Sequence, residues 1–253
     1  MQISLKPELI TTIGGFPVTN TLFMTAIISG LIIIASFFLR KKARADETKH
    51  KPKGFHNIAE FVLEALLEMA DGITGDRELS KKFFPYVATI FIFVIMSNWI
   101  ELIPGLGTVG VNQVHHGETE LIPFIRSNSA DLNMTLAIAL VSVITAQVMG
   151  ISALGFKKYG GKFLVSPFKK PYFIGTFVGL LEIISEFAKI ISFSFRLFGN
   201  IFAGEVLLTV MLMLVPYFIP LPFLMLEIFV GFIQAMVFSM LTLVFFKMAT
   251  ESH

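Results

Sequence analysis

One long apolar stretch decides the fold of this chain: PYFIGTFVGLLEIISEFAKIISFSFRLFGNIFAGEVLLTVMLMLV, residues 171–215, with no proline after the first position. As a single helix it would be roughly 67 Å long at 1.5 Å per residue. The hydrocarbon core of a bilayer is only about 30 Å thick. The stretch is therefore either two short membrane spans or one long helix that is steeply tilted in the membrane.

Arg196 lies in the middle of this stretch. Its guanidinium stays protonated at any accessible pH, so it cannot avoid the cost of burial by becoming neutral. A charge at bilayer depth is expensive and usually marks a function. Arg196 is therefore the first candidate functional residue.

The composition of the whole chain is that of a membrane protein. Of 253 residues, 55% are hydrophobic and 15% are charged, whereas a soluble domain carries about 25% charged residues. Cysteine is absent, which excludes disulfides, thiolate metal sites, iron–sulfur clusters and a cysteine nucleophile. The first twenty residues lack the basic start and the small-residue cleavage site of a signal peptide, so we expect the first apolar run to be retained.

The apolar runs and their boundaries predict an all-α integral membrane protein with a single membrane domain, residues 1–253. An amphipathic helix with an acidic stripe is expected at residues 55–71, on the membrane surface. An N-terminal tail covers residues 1–20. The membrane helices are predicted at residues 21–39, 83–104, 131–156, 171–215 and 217–249.

The basic residues predict the orientation of the chain. Ten Lys or Arg lie in the connection 40–82 and five in 157–170, against one in the loop 105–130 and one in the N-terminal tail. The positive-inside rule places the two basic connections in the cytoplasm. The N-terminus and the turn at Pro216 are then outside, and the C-terminus is inside.

The polar residues of the long stretch follow a pattern. On an ideal helix, those between its first acid and Asn200 fall within about 120° of one another, and only Ser194 lies off that face. The members of this stripe are Glu182, Ser185, Glu186, Lys189, Ser192, Arg196 and Asn200. Glu186 and Lys189 can neutralise each other, but Arg196 has no acid three or four positions away and needs a partner from another helix or another protein.

Two further acids lie beyond Arg196, toward the predicted external turn. Glu205 is about 140° around the helix and about 13.5 Å further along it. Glu227, on the last helix, shares a face with Gln234 one heptad later. Two offset polar routes on either side of a fixed cation indicate an ion path that is interrupted at its centre.

Three rival classes fit the residues less well. A haem or quinone subunit needs histidine or methionine ligands in opposed pairs within the membrane, yet all five histidines lie outside the apolar runs. A structural scaffold would not need Arg196, Glu205 and Glu227 at membrane depth. A self-contained transporter often has internal repeats, and none is seen.

Four motifs, in register over nearly the whole chain, resemble subunit a of the F-type ATP synthases, the stator half of a membrane proton path. They are SFSFRLFGNIFAGE (192–205), NWIELIPG (98–105), SADLNMT (129–135) and GFIQAMVFSMLT (231–242). The resemblance implies one N-terminal transmembrane helix, a cytoplasmic-surface amphipathic helix, two transmembrane helices and two long tilted ones. It therefore favours tilt for residues 171–215.

The resemblance also implies roles for individual residues. Arg196 matches the essential arginine that faces the ring carboxylates, and Asn200 and Gln234 match its polar neighbours. Glu205 matches the acid of the external half-channel. Positions that line the cytoplasmic access are matched by Glu182 and Ser192.

Glu227 departs from part of the family. Some members carry a histidine at that position, and others pair a glutamate there with a histidine at the position of Glu205. Here both positions are glutamate, so either Glu205 or Glu227 can be the proton relay.

By this resemblance the chain is a non-catalytic subunit without cofactor or metal, in the inner membrane of the cell. Its expected partners are a ring of small two-helix subunits that carry carboxylates, membrane subunits of the peripheral stalk and the lipid bilayer; no nucleic acid is implied. Two alternatives stay open: a Na⁺-translocating version of the same subunit, and a non-conducting structural membrane subunit.

Overall fold

The computed structural model describes residues 7–46, 55–103, 105, 109–115, 118–163, 174–215 and 218–251. The helices in these ranges are α1 Asn20–Asp46, α2 Phe55–Thr74, α3 Arg77–Ile100, α4 Leu132–Leu154, α5 Phe156–Phe163, α6 Ile174–Leu214 and α7 Pro220–Thr250. The strands are β1 Leu9–Ile13, β2 Phe16–Thr19, β3 Gly110–His115 and β4 Glu118–Pro123.

Five of the helices, α1, α3, α4, α6 and α7, are long and apolar enough to cross a membrane. The prediction of a helical protein with five such segments is confirmed. Two antiparallel hairpins, β1–β2 and β3–β4, were not predicted, because their strands are short and lie in segments that the sequence marks only as a tail and a loop.

The long apolar stretch forms one uninterrupted helix. Within the described residues, α6 has 41 residues and is therefore roughly 61 Å long. The sequence left two interpretations open. The one with two short membrane spans is wrong, because the helix has no break between Ile174 and Leu214. The predicted start at residues 171–173 and the predicted turn at Pro216 lie outside the described residues.

Capping residues set the ends of α3 and α4. Asp76 accepts a hydrogen bond from the backbone N–H of Glu78, so α3 begins six residues before the predicted position 83. Asp131 caps α4 by accepting a hydrogen bond from the backbone N–H of Asn133 at 2.9 Å. Gly155 has a φ of +80° and ends α4, so the basic residues that follow belong to a separate helix, α5.

Helices α3, α4, α6 and α7 pack around one apolar core. Its fully buried members include Phe83 and Val94 of α3 and Leu243 of α7, and Phe193 of α6 stacks on Phe238 of α7 with 3.9 Å between ring centroids. In lipid, helices associate through close packing and hydrogen bonds between them. The core therefore packs one face of α6 against its neighbouring helices.

Hydrogen bonds tie α3 to α7 at the height of this core. The side-chain amide of Asn98 donates to the carbonyl oxygen of Gly231 at 3.0 Å. The indole N–H of Trp99 donates to the carbonyl oxygen of Ile228 at 3.0 Å. Gly231 allows this approach, because a Cβ at its position would lie 3.1 Å from that of Asn98.

The two hairpins lie at the same end of the helices. Asn20, at the start of α1, bonds through its side chain to the carbonyl oxygen of Pro123 in β4 at 3.5 Å, and Thr21 donates to Asp131 at 2.8 Å. At the other end, the ammonium of Lys247 donates to the carbonyl oxygen of Ile73 at 3.0 Å. We call these the hairpin end and the α2 end.

Candidate functional site

Helix α6 turns one face toward α4 and α7 and the other away from them. Phe193, Leu197 and Ile201 are buried, whereas Arg196 and Asn200 are exposed. Ser192, Ser185, Ala188 and Ala203 are also exposed. The outward side of α6 thus carries polar and small residues next to large exposed apolar ones such as Phe187 and Phe195, and the small residues allow a second helix to approach closely.

Arg196 lies on this outward face. Its guanidinium makes no hydrogen bond or ion pair with any residue in the part of the chain that the structure describes. The sequence predicted that its partner comes from another helix or another protein. Among the described helices, none supplies that partner.

The polar stripe of α6 divides at the α2 end. The ammonium of Lys189 donates to Glu186 at 2.7 Å, and both side chains are 19% exposed. Lys189 also lies 5.3 Å from the ring centroid of Phe245 on α7. These two residues neutralise each other on the bundle side of α6, while Ser192 and Arg196 point outward.

Tyr159 of α5 covers this ion pair from the side of α4. Its hydroxyl donates to the side-chain oxygen of Gln147, and its ring lies where a Cβ at Gly150 would overlap it. Burial, together with the nearby carboxylates of Glu186 and Glu182, raises the pKa of Tyr159 to about 12. The phenol therefore stays protonated at physiological pH and remains a hydrogen-bond donor.

Glu182 is half-buried at the α2 end of α6, within electrostatic reach of Tyr159. It precedes Glu205 by 23 positions on one helix, which corresponds to roughly 35 Å. The two acids thus lie near opposite ends of the protein, with Arg196 between them.

An ion pair holds Glu205 at the hairpin end. Nη2 of Arg126 donates to Oε2 of Glu205 at 3.1 Å, and Nε lies 3.1 Å from Oε1. The Arg126 side chain is 6% exposed and that of Glu205 is 19% exposed. The pair is thus held by one charge-assisted hydrogen bond, from Nη2, and by a second close contact between opposite charges.

Two more carboxylates lie at this end. Glu101 follows α3 and accepts a hydrogen bond from the backbone N–H of Ser127 at 2.9 Å. Glu227 of α7 is only 8% exposed, and its carboxylate packs against the backbone of Gly204. Glu227 therefore lies beside the residue that precedes Glu205, although the two acids are 22 positions apart.

The remaining predicted site residues are placed along the same helices. Asn200 lies one turn beyond Arg196 on the outward face of α6, and Gln234 is half-buried on α7. The structure thus brings Glu205 and Glu227 to one end and leaves Glu182 at the other.

Three residues of the site were missed by sequence reasoning: Arg126, Glu101 and Asn98. The orientation argument uses Arg126 only as a loop charge, although it is the one Lys or Arg between residues 105 and 130. Glu101 and Asn98 belong to a motif that was used for the resemblance alone. An acid directly after an apolar span was the available signal for Glu101.

Comparisons with known proteins agree with this architecture. The family model for the ATP synthase A chain matches residues 22–247. ATP synthase subunit a of Helicobacter pylori (strain P12) is 35% identical over 234 residues, 92% of each chain. ATP synthase subunit a of Campylobacter jejuni (serotype O:23/36, strain 81-176) is 36% identical over 205 residues, 80% of each chain. The chain therefore belongs to the family of subunit a of the F-type ATP synthase, the non-catalytic, ion-translocating membrane subunit of that complex.

Proposed function

We propose that the chain carries the proton path of the complex as two offset half-channels, with Arg196 between them. The observation that carries this proposal is the outward position of Arg196, which has no ion pair or hydrogen bond among the described residues. In this arrangement the outward face of α6 lies against a ring of small two-helix subunits. Each of those subunits presents one carboxylate.

The reason lies in the energetics of charge in a membrane. A carboxylate that faces lipid must be protonated, whereas one beside Arg196 can be ionised, because the guanidinium pairs with it. Arg196 itself cannot relay a proton. A fixed cation at the centre therefore binds each ring site in its charged form and repels protons that would cross directly.

The external half-channel runs past Glu227 and Glu205 at the hairpin end. Buried oxygens that accept no hydrogen bond within the described residues support a hydrated route here, since such atoms are usually satisfied by ordered water. They are Oδ1 of Asn98, Oδ1 of Asn128 and Oγ of Ser129. A proton that enters by these groups protonates a ring carboxylate as it leaves Arg196.

The cytoplasmic half-channel runs past Glu182 and Ser192 at the α2 end. Ser192 is exposed on the outward face, one turn before Arg196, and Glu182 is half-buried. A ring carboxylate that has rotated through lipid reaches Ser192 before it reaches Arg196 and releases its proton there. Asn200 and Gln234 flank the arginine on the external side.

The orientation follows the distribution of basic residues. With the hairpin end outside and the α2 end in the cytoplasm, the connections 40–82 and 157–170 face the side that the positive-inside rule requires. The membrane is the inner membrane of the cell. Membrane subunits of the peripheral stalk are the proposed neighbours of α1, because only 11% of the apolar segment of this helix is buried within the chain.

Vesicles that contain the reconstituted complex test the proposal. ATP-driven acidification is measured with a pH-sensitive dye for Arg196→Ala and Arg196→Lys. Both variants should assemble and lose coupled pumping, because alanine removes the charge, and an ammonium can deprotonate and lacks the fork geometry of arginine. Each charge moved contributes about 2.3 kcal/mol per 100 mV, so any leak past residue 196 lowers the yield of ATP.

Lys81→Ala is the matched control. Its ammonium pairs with Glu78 at 2.9 Å on the surface of α3, and its side chain is 55% exposed, so its loss should leave pumping unchanged. Normal pumping by Arg196→Ala would contradict the proposal. Acidification that requires Na⁺ in the medium would favour the sodium-translocating alternative instead.

A further inference from the structure

We propose that Ser194 and Thr135 form a polar lock that fixes the rotation of α6 about its axis and thereby keeps Arg196 outward. The inference rests on the proposed role of Arg196. The two hydroxyl oxygens are 3.0 Å apart, and both residues are fully buried. This hydrogen bond joins α6 to α4 two residues from Arg196.

The number of hydroxyl protons on Thr135 and Ser194 indicates which residue donates this hydrogen bond. The hydroxyl of Thr135 donates to the carbonyl oxygen of Leu132 in its own helix at 3.1 Å. A threonine hydroxyl has one proton, so Ser194 is the donor in the bond between the helices. Loss of the Thr135 oxygen would leave a buried donor on Ser194 without its partner.

Ser194 is placed to control rotation. Two positions along a helix correspond to a rotation of about 200° around its axis. Ser194 and Arg196 therefore lie on nearly opposite sides of α6. This explains why Ser194 was the one polar residue between Glu182 and Asn200 that lay off the polar stripe. When Ser194 is held against α4, Arg196 must face outward.

The rest of the packed face around Ser194 is apolar. Its neighbours Phe193, Leu197 and Ile201 are buried and contribute close packing, whereas a hydrogen bond also requires one particular distance and angle between its two partners. A single buried polar group can specify the register of an otherwise apolar helix pair. A helix whose outward face binds successive charged sites on a rotating ring needs such a restraint.

Two variants remove the lock: Ser194→Ala and Thr135→Val. We expect ATP-driven proton pumping to fall about three- to tenfold in each, the range expected for one hydrogen bond between membrane helices. Thr135→Ser keeps the hydroxyl and should retain pumping. In the double variant, the two losses should not add, since both partners of the same bond are gone.

The matched control is Ser142→Ala. Ser142 is also fully buried on α4, but its hydroxyl donates to the carbonyl oxygen of Ile138 in the same helix at 2.9 Å. Its removal takes away a buried hydroxyl without loosening α6. Pumping by Ser142→Ala should therefore equal that of the unmodified complex.

A distance measurement separates rotation from general loss of stability. Spin labels on cysteines at Asn200, on the outward face of α6, and Val148, 58% exposed on α4, report the rotation of one helix against the other. This chain has no native cysteine. The distance distribution, measured by pulsed electron paramagnetic resonance, should broaden in Ser194→Ala and stay unchanged in Ser142→Ala and Thr135→Ser.

An unchanged distribution with full pumping in Ser194→Ala would overturn the inference, and so would equal broadening in Ser142→Ala. Either result would leave the proposed function intact as long as Arg196→Ala abolishes pumping. Normal pumping by Arg196→Ala would contradict the proposed function itself, independently of the spin-label result.

Discussion

Arg126 donates a hydrogen bond from Nη2 to Oε2 of Glu205 at 3.1 Å, and its Nε lies 3.1 Å from Oε1 of the same carboxylate. The contact joins the segment before α4 to α6 across 79 positions of sequence. Glu227, by contrast, accepts no hydrogen bond from the described residues and forms no ion pair with them. The two acids of the proposed external route thus differ: Glu205 has a cationic partner among the described residues and Glu227 has none.

This asymmetry predicts that Glu227 relays the proton and that Glu205 holds the route open. The Glu205 carboxylate is engaged by Arg126, whereas the Glu227 carboxylate has no hydrogen bond or ion pair among the described residues and can exchange a proton without breaking one. We expect Glu227→Gln to reduce ATP-driven pumping about a hundredfold, the usual size of a lost acid–base group. The double variant Arg126→Gln with Glu205→Gln removes the pair without leaving a buried charge and should keep measurable pumping.

The single variants Arg126→Gln and Glu205→Gln provide the comparison for this test. Each leaves one buried, unpaired charge, which is more damaging than the loss of both partners. If the double variant is as inactive as Glu227→Gln while the complex remains assembled, Glu205 is itself a relay and the division of roles is wrong.

The packing of Glu227 against Gly204 gives a second prediction. A Cβ at residue 204 would overlap the Glu227 carboxylate, so Gly204→Ala must displace that carboxylate from its place against α6. We expect a loss of pumping without a loss of assembly. Gly72→Ala is the control, because residue 72 is exposed on α2 and a Cβ there meets no atom within 4 Å in this chain.

Proton uptake measured as a function of pH distinguishes displacement from unfolding in Gly204→Ala. A displaced relay changes the pH at which pumping is half-maximal, whereas partial unfolding lowers pumping at every pH. Unchanged pumping by Gly204→Ala, with Gly72→Ala also unchanged, would mean that the position of the Glu227 carboxylate does not limit the flow of protons.

Local patterns in the sequence predicted the helices and the outward face of α6 near Arg196. The apolar length of residues 171–215 exceeds a single perpendicular span, and helical spacing placed Ser192, Arg196 and Asn200 on one side. Such features depend on neighbours three or four positions apart. Periodicity is therefore sufficient to find them.

The parts that the sequence could not predict depend on contacts between distant segments. The ion pair of Arg126 with Glu205 and the contact of Glu227 with Gly204 join separate segments or helices, and no periodicity records them. The same limit applies to Ser194. Its position off the polar stripe is explained only by its contact with Thr135 on α4, which the sequence does not reveal.

The last prediction distinguishes the two access routes by the side of the membrane from which water reaches each of them. Cysteines at Glu182 or Ser192 should react with water-soluble thiol reagents added on the cytoplasmic side, and cysteines at Glu205 or Glu227 with reagents added outside. The physical reason is that Glu182 and Glu205 lie roughly 35 Å apart along α6, with Arg196 between them. Because the chain has no cysteine, every label on it marks an introduced site, and the unmodified chain is the blank. Labelling of both groups from one side would indicate a continuous pore. A continuous pore would dissipate the proton gradient, and the role of Arg196 as a barrier between two half-channels would then have to be abandoned.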